Sequence, residues 1–171
     1  ALLASRSGPR TTTEYCPHAA WTEPGAATLQ PWHLVAVGDS VLKHEIRMAA
    51  ELEEREFYRH RAPAEWLAAL AALGTDSEKP FLETAPWLIA IFAQPYRLNP
   101  DGSRMKHYYA TESVGIATGI LITALHRAGL ASLTHTPSPM GFLNSVLGRP
   151  VYEKPFLLPL GVCPAETALF P

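Results

Sequence analysis

Cysteine is nearly absent: Cys16 and Cys163 are the two in 171 residues. They are too few for a disulfide framework and lack the spacing of a zinc site, which fits a reducing compartment and sets the expectation of a cytoplasmic protein. Charge is sparse as well, at 18% of residues, with 16 acids against 14 bases and a formal net charge of −2. Such a balance offers no generic cationic surface, so neither nucleic acid nor an anionic membrane is expected as a partner. Long apolar runs are missing too. The longest central stretch free of charge and histidine, Ser113 to Leu125, has 13 residues, short of the roughly 18 that a membrane helix needs. The N-terminus has no signal-peptide pattern, because Ala1–Leu3 is too short and Arg6 and Arg10 follow it rather than precede it.

Several chemistries are absent at the level of motif. There is no G-x-G-x-x-G fingerprint and no G-x-x-x-x-G-K-[ST] loop. Gly115 and Gly119 lie four apart inside an apolar helical pattern, where close packing is the expectation and phosphate binding the lesser alternative. Ser113 has Gly115 two residues after it but Thr111 two before, so it lacks the paired glycines of a nucleophile elbow. The seven histidines are scattered singly, none at ligand spacing, so no metal site is expected.

What is present is a foldable core, with 47% apolar residues, and sixteen prolines that punctuate it. Residues 1–31 carry four of those prolines and hold no helical or strand period, which reads as a loop or irregular arm. His33–Val37 reads as a strand, followed by a helix capped at Asp39 or Ser40 and running to about Arg61. Five acids and five bases alternate along that helix between Lys43 and Arg61, beside a narrow apolar stripe of Ile46, Ala49, Ala50 and Phe57. A second helix is predicted over Ala64–Leu73, stopped by Gly74, and a further helical turn over Lys79–Thr84. Trp87–Ala93 is a continuous apolar run of strand length, as in a central strand covered on both faces. Asn99–Gly102 is a turn cluster, Tyr108–Ala128 a buried helix, and Leu130–Thr134 a strand. Phe142–Leu147 reads as a short helix and Phe156–Leu160 as a last strand broken by Pro159. This order implies an α/β (α+β) sandwich with helices packed on a mixed central sheet.

Two constellations stand out, each with two open readings. Glu54 and Tyr58 are four apart and share a helix face, and Lys79 follows a helix hairpin that can fold back over them. A carboxylate, a phenol and an ammonium together suit a zwitterion; the same residues also suit a solvated charged helix. Thr134 and Thr136, at the end of a strand, can donate hydroxyl hydrogen bonds into a cleft or serve only as β-formers.

Taken in order, the segments Leu29–Val35, Glu51–Tyr58, Lys79–Pro86, His107–Tyr109, Glu112–Val114, Ala128–Leu130, Thr134–Pro137, Leu147–Pro150 and Leu158–Gly161 resemble the nitroreductase superfamily, in particular its iodotyrosine deiodinase branch. The resemblance covers residues 24 to 171 and divides the chain into an irregular arm, 1–23, and a nitroreductase-like domain, 24–171, that stops short of the family's C-terminal tail. It implies a three-layer sandwich, an FMN-dependent oxidoreductase, and an intertwined homodimer. NAD(P)H or a reductase partner would supply the electrons.

Residue by residue, the family's P-S-G-A segment falls on Pro24-Gly25-Ala26-Ala27, which implies that Pro24, Gly25 and Ala26 line the flavin and that the Ala27 N–H binds a substrate phenolate. Thr134-His135-Thr136 match the T-T-T segment beside the flavin ring, with Thr134 as the catalytic hydroxyl that donates to flavin N5 and favours single-electron transfer. Glu54, Tyr58 and Lys79 match the branch's grip on the amino-acid end of a halotyrosine. The family's phosphate-binding R-R-[ST]-x-R is not matched: Arg6-Ser7 and Arg10 are only superficially similar to it, because the interval to Pro24 is too short and holds no amphipathic helix, and the family's last basic segment is absent as well. Three readings follow: a reductive dehalogenase of halotyrosines, a general nitroreductase of nitroaromatics or quinones, and a flavin-free or inactive relative.

Overall fold

The computed structural model describes residues 18–24, 29–72 and 74–162. Cys16, Cys163, Arg6, Arg10 and the Gly25-Ala26-Ala27 segment lie outside the described residues. Among the described residues the sheet has four strands, β1 (Trp32–Val37), β2 (Trp87–Ala93), β5 (Ala131–His135) and β6 (Lys154–Val162), in the order β1-β2-β6-β5. Helices α1 (Ser40–Glu56), α2 (Ala64–Ala72), α3 (Phe81–Thr84), α4 (Ala110–Arg127) and α5 (Phe142–Val146) complete the main elements. A small hairpin, β3 (Tyr96–Leu98) with β4 (Arg104–Lys106), stands outside the main sheet.

The sheet is a wall between two apolar layers. Strand periodicity sends alternate β2 side chains to opposite faces. Leu88, Ala90 and Phe92 pack with Ile46 and Ala50 of α1, Leu82 of α3 and Leu143 of α5. Ile89, Ile91 and Ala93 pack with Val114, Ala117, Leu121 and Leu125 of α4. Both faces of β2 are thus buried, which is why its sequence is a continuous apolar run.

That run also explains one departure from expectation. A mixed sheet was expected, yet all three described ladders, β1–β2, β2–β6 and β5–β6, are antiparallel. Continuous apolar character reports cover on both faces and carries no information about strand direction. The last strand is likewise not broken at Pro159. It runs through, with Thr134 opposite Pro159 on β5. On the β2 side no register pair falls at Pro159, and the register shifts between Ile91 and Phe92, opposite Pro155. These irregularities seat two residues that have no N–H to offer an inner ladder.

Helix α1 starts at its cap, where the Asp39 carboxylate accepts from the Val41 and Leu42 N–H groups at 3.0 and 2.9 Å. Gly38 just before it is required by space, because a Cβ there would lie 2.7 Å from the Trp87 ring. At its far end α1 widens into a π turn, Phe57–Arg61, closed by the Ala62 N–H on the Phe57 carbonyl at 2.9 Å. Pro63 accounts for the stop, since the residue before a proline is driven to extended backbone and Ala62 has ψ 129°.

Leu160, fully buried between the layers, and Val151, 83% exposed, calibrate this core. Leu160→Ala is expected to cost about 2–5 kcal/mol, and Val151→Ala less than about 0.5 kcal/mol. Urea denaturation of the two variants beside the parent chain measures both.

Candidate active site

A cleft of about 330 Å³ opens between the helical layer and the end of β5. It is lined from one side by Glu54, Phe57 and Tyr58 of α1 and its π turn, and by Trp66 and Leu70 of α2. From the other side come Thr75 and Lys79 of the segment that returns to the sheet, and Thr134, His135, Thr136 and Ser138. Its size is at the lower end of small-ligand pockets. Both constellations singled out in the sequence therefore face the same space.

The π turn aims Tyr58 into the cleft, with Phe57 edge-to-face against it at 5.8 Å. Lys79 sits opposite: its Nζ is 3.5 Å from Glu54 Oε2 and 5.7 Å from the centre of the Tyr58 ring. The ion pair is nearly buried, with side-chain exposures of 5% for Lys79 and 13% for Glu54. The Lys79 ammonium also donates to Thr75 Oγ1 at 3.4 Å and to the Asp76 carbonyl. These contacts exclude the solvated reading for Lys79, although other charges of α1 remain in water.

Thr134 and Thr136 are exposed and flank a buried residue, as strand alternation requires. That residue, His135, is 8% exposed, packs edge-to-face on Phe81 at 5.5 Å, and has no partner for its Nε2. Burial, with the Lys79 charge adding to it, pushes the imidazole from its usual 6.5 down to about 4. It is neutral at physiological pH. Among the described residues no group of three or more acidic, histidine or cysteine side chains converges on a metal-sized point.

Sequence reasoning missed Trp66 and Leu70, which are four apart on α2 and cover the cleft. Trp66 is 54% exposed, and an exposed tryptophan at a cleft mouth marks a contact surface; nothing in an alanine-rich helix reveals that exposure beforehand. Pro24 is exposed and does not line the cleft.

A three-layer α+β sandwich with a charged, aromatic-walled cleft at one end of its sheet is the architecture of flavin-binding reductases. A model of the Nitroreductase family matches residues 5–162, and the chain belongs to that family. It is 51% identical over 170 residues to an iodotyrosine deiodinase of Haliscomenobacter hydrossis, covering 99% of this chain and 76% of that protein. An iodotyrosine deiodinase of Nematostella vectensis is 40% identical over 171 residues, 99% of this chain and 64% of that protein. The human iodotyrosine deiodinase 1 is 43% identical over 154 residues, 89% of this chain. The chain spans 53% of the human protein's length. A solved iodotyrosine deiodinase bound to FMN and 3-iodo-L-tyrosine superposes with a TM-score of 0.83 at 26% identity, over 96% of this chain and 83% of that one. The family match and the bacterial alignment both extend upstream of Pro24, into the segment that the sequence resemblance had left out.

The depressed His135 value makes stability pH-dependent. Between its ordinary 6.5 and about 4 the unfolded chain binds a proton that the folded chain does not, so stability falls as pH falls through that window. This group alone is expected to account for up to about 3 kcal/mol of loss. His33, also lowered, by burial first and the Arg149 charge second, acts in the same direction. Replacing His135 with glutamine should flatten the pH 4–6.5 part of the urea-stability profile relative to the parent chain; parallel profiles would refute the assignment.

Proposed function

We propose that this chain is an FMN-dependent oxidoreductase that removes halogen from halogenated tyrosines. The observation that carries the reading is the buried Glu54–Lys79 pair, with Tyr58 beside it, facing Thr134 and Thr136 across one cleft. The relatives named iodotyrosine deiodinase, and the neighbour that holds FMN and 3-iodo-L-tyrosine, support it.

The residues present fit the amino-acid end of a halotyrosine and the ring edge of FMN. Lys79 and Glu54 are already opposite charges in a nearly dry site. The zwitterionic end of an amino acid can replace each partner with its own group: its carboxylate on Lys79, its ammonium on Glu54. The Tyr58 hydroxyl is placed to add a hydrogen bond, and Trp66 and Leu70 to cover the bound ring and exclude water. For FMN, the donor set at the end of β5 is suitable, since the exposed Thr134 and Thr136 hydroxyls form no hydrogen bond among the described residues. Thr134 would donate to the ring N5, and Thr136 and the backbone after Pro24 would complete the cradle. The chemistry FMN supplies is reduction: two electrons and a proton replace the ring halogen with hydrogen, and halide leaves.

Ala27, through its N–H, is the proposed phenolate contact. Electrons come from NAD(P)H or a reductase partner. A homodimer is supported by the face of α4, where Ile116, Gly119, Ile120 and Thr123 line an open apolar groove of about 430 Å³. Among the described residues no helix is long and apolar enough to cross a membrane; the scarcity of cysteine is what favours a cytoplasmic setting. A broader nitroreductase activity is favoured by the family itself, but a nitroarene has no zwitterion to engage the Glu54–Lys79 pair.

Purified protein with added FMN, titrated with 3-iodotyrosine, tests the reading. Lys79→Ala should weaken iodotyrosine binding by about 10- to 100-fold, the value of one charge-assisted contact, and leave FMN affinity unchanged. Equal loss of both ligands would make Lys79 structural, and a chain that leaves free-flavin fluorescence unaltered would exclude both enzyme readings.

A further inference from the structure

The cleft's cation sits on a segment without regular secondary structure, between α2 and α3, so something outside that segment must hold it. Lys79 is buried, and its backbone N–H needs an acceptor that no neighbouring strand supplies. The acceptor is the Glu51 carboxylate, whose Oε1 lies 2.8 Å from the Lys79 nitrogen. The same oxygen accepts from Arg47 Nε at 2.6 Å, and Oε2 lies 3.8 Å from Arg55 Nη1. Glu51 is 3% exposed and does not line the cleft.

A buried carboxylate between two guanidinium groups stays ionised. Burial opposes the charge, but the Arg47 hydrogen bond, the Lys79 N–H and the nearby arginine charges outweigh it and hold the carboxyl below its ordinary range. Glu51 therefore acts as a fixed acceptor and exchanges no proton at neutral pH. It stands one helical turn before Glu54 and two turns before Tyr58, so α1 and the π turn that continues it carry both the clamp on the Lys79 backbone and the two groups that face the Lys79 side chain.

We propose that Glu51 is the positioning residue for Lys79: by clamping its amide it fixes the ammonium opposite Glu54 and so gives the cleft its preference for ligands with an amino-acid end. This rests on the halotyrosine reading above. Removal of the clamp frees the backbone of Lys79 while leaving Glu54, Tyr58, Trp66 and the threonines in place. The loss should then fall on the zwitterionic end of the ligand and spare its aromatic ring.

The test compares 3-iodotyrosine with 2-iodophenol, which keeps the iodinated phenol and lacks the amino-acid end, by calorimetric titration of the FMN-loaded protein. Glu51→Asp keeps the charge between the arginines but retracts the acceptor by one methylene. It should lower iodotyrosine affinity at least 5-fold and change iodophenol affinity less than 2-fold. Glu51→Gln keeps an acceptor oxygen at full reach and should restore most of the iodotyrosine affinity. Amide hydrogen exchange at Lys79 should quicken in the aspartate variant and return toward the parent rate in the glutamine variant. Equal loss of both ligands in the aspartate variant, or an iodotyrosine preference that survives it, overturns the role of Glu51. A parent protein with no preference for iodotyrosine overturns the halotyrosine reading itself.

Discussion

Every fourth residue of α1 from Lys43 to Arg55 is charged, and each of the four contacts the segment that returns from α2 to the sheet. The Lys43 ammonium donates to the Glu83 and Ala85 carbonyls at 3.0 and 2.9 Å. Arg47 reaches the Glu83 carboxylate at 3.5 Å, Glu51 the Lys79 amide, and Arg55 the Glu78 carboxylate at 3.8 Å. A stretch between helices has few backbone partners of its own, and buried carbonyls and amides left without partners are costly. Lys43 and Glu51 meet that need, and Arg47 and Arg55 add ion pairs to the carboxylates of the same segment. In doing so the stripe buries Lys43 and Glu51, whose desolvation is offset by two hydrogen bonds each and, for Glu51, by the flanking arginines. Exposed pairs such as His60 with Glu56 contribute little beside them.

The segment so held is where two layers meet. Phe81, at the start of α3, packs against His135 at the end of β5, while Lys79 two residues earlier faces Glu54 and Tyr58. One short stretch therefore sets the distance between the helical wall of the cleft and the threonine-bearing strand end. The charged side chains of the cleft come from the helix and its returning segment, and its hydroxyls from the end of β5 and the residues just after it. The strand end is the stiffer of the two, because β5 is laddered to β6 and β6 to the doubly buried β2. The helical wall is the part able to adjust: α2 buries none of its described side chains fully, and Trp66 stands out from it. A ligand that bridges the two walls would order the looser one against the firmer.

Much of this was legible before the structure. The run from Trp87 to Ala93 and the glycine-terminated apolar helix after Tyr109 announce themselves by period and punctuation, and both are present as β2 and α4. Glu54 and Tyr58 were placed on one face by spacing alone. Strand direction was not legible, because a strand covered on both faces reads the same in either orientation. The hairpin of β3 and β4 was seen only as the turn Asn99–Gly102, since three-residue strands are too short to show a period. Glu51 was invisible for a different reason. Among five acids and five bases on one helix, the charge that is buried differs from the charge in water only by what packs over it, and that partner is 28 residues away.

The Glu54–Lys79 pair is the feature least explained by stability. A nearly buried ion pair recovers about what its desolvation costs, and apolar replacements of the same volume often hold a fold as well or better. Its distinguishing property is that it holds two opposite charges, already stripped of most water, 3.5 Å apart. A zwitterion entering between them exchanges one pair for two and leaves no charge unmatched. A ligand with a single charge would strand one partner in the dry cleft, and a neutral one would leave the pair closed upon itself. Discrimination by an unmatched buried charge is stronger than discrimination by fit, because an unpaired charge cannot relax as a loose apolar contact can. On the proposed function the pair would be the selectivity element of the cleft, held in register by the helix that carries one half of it and clamps the backbone of the other.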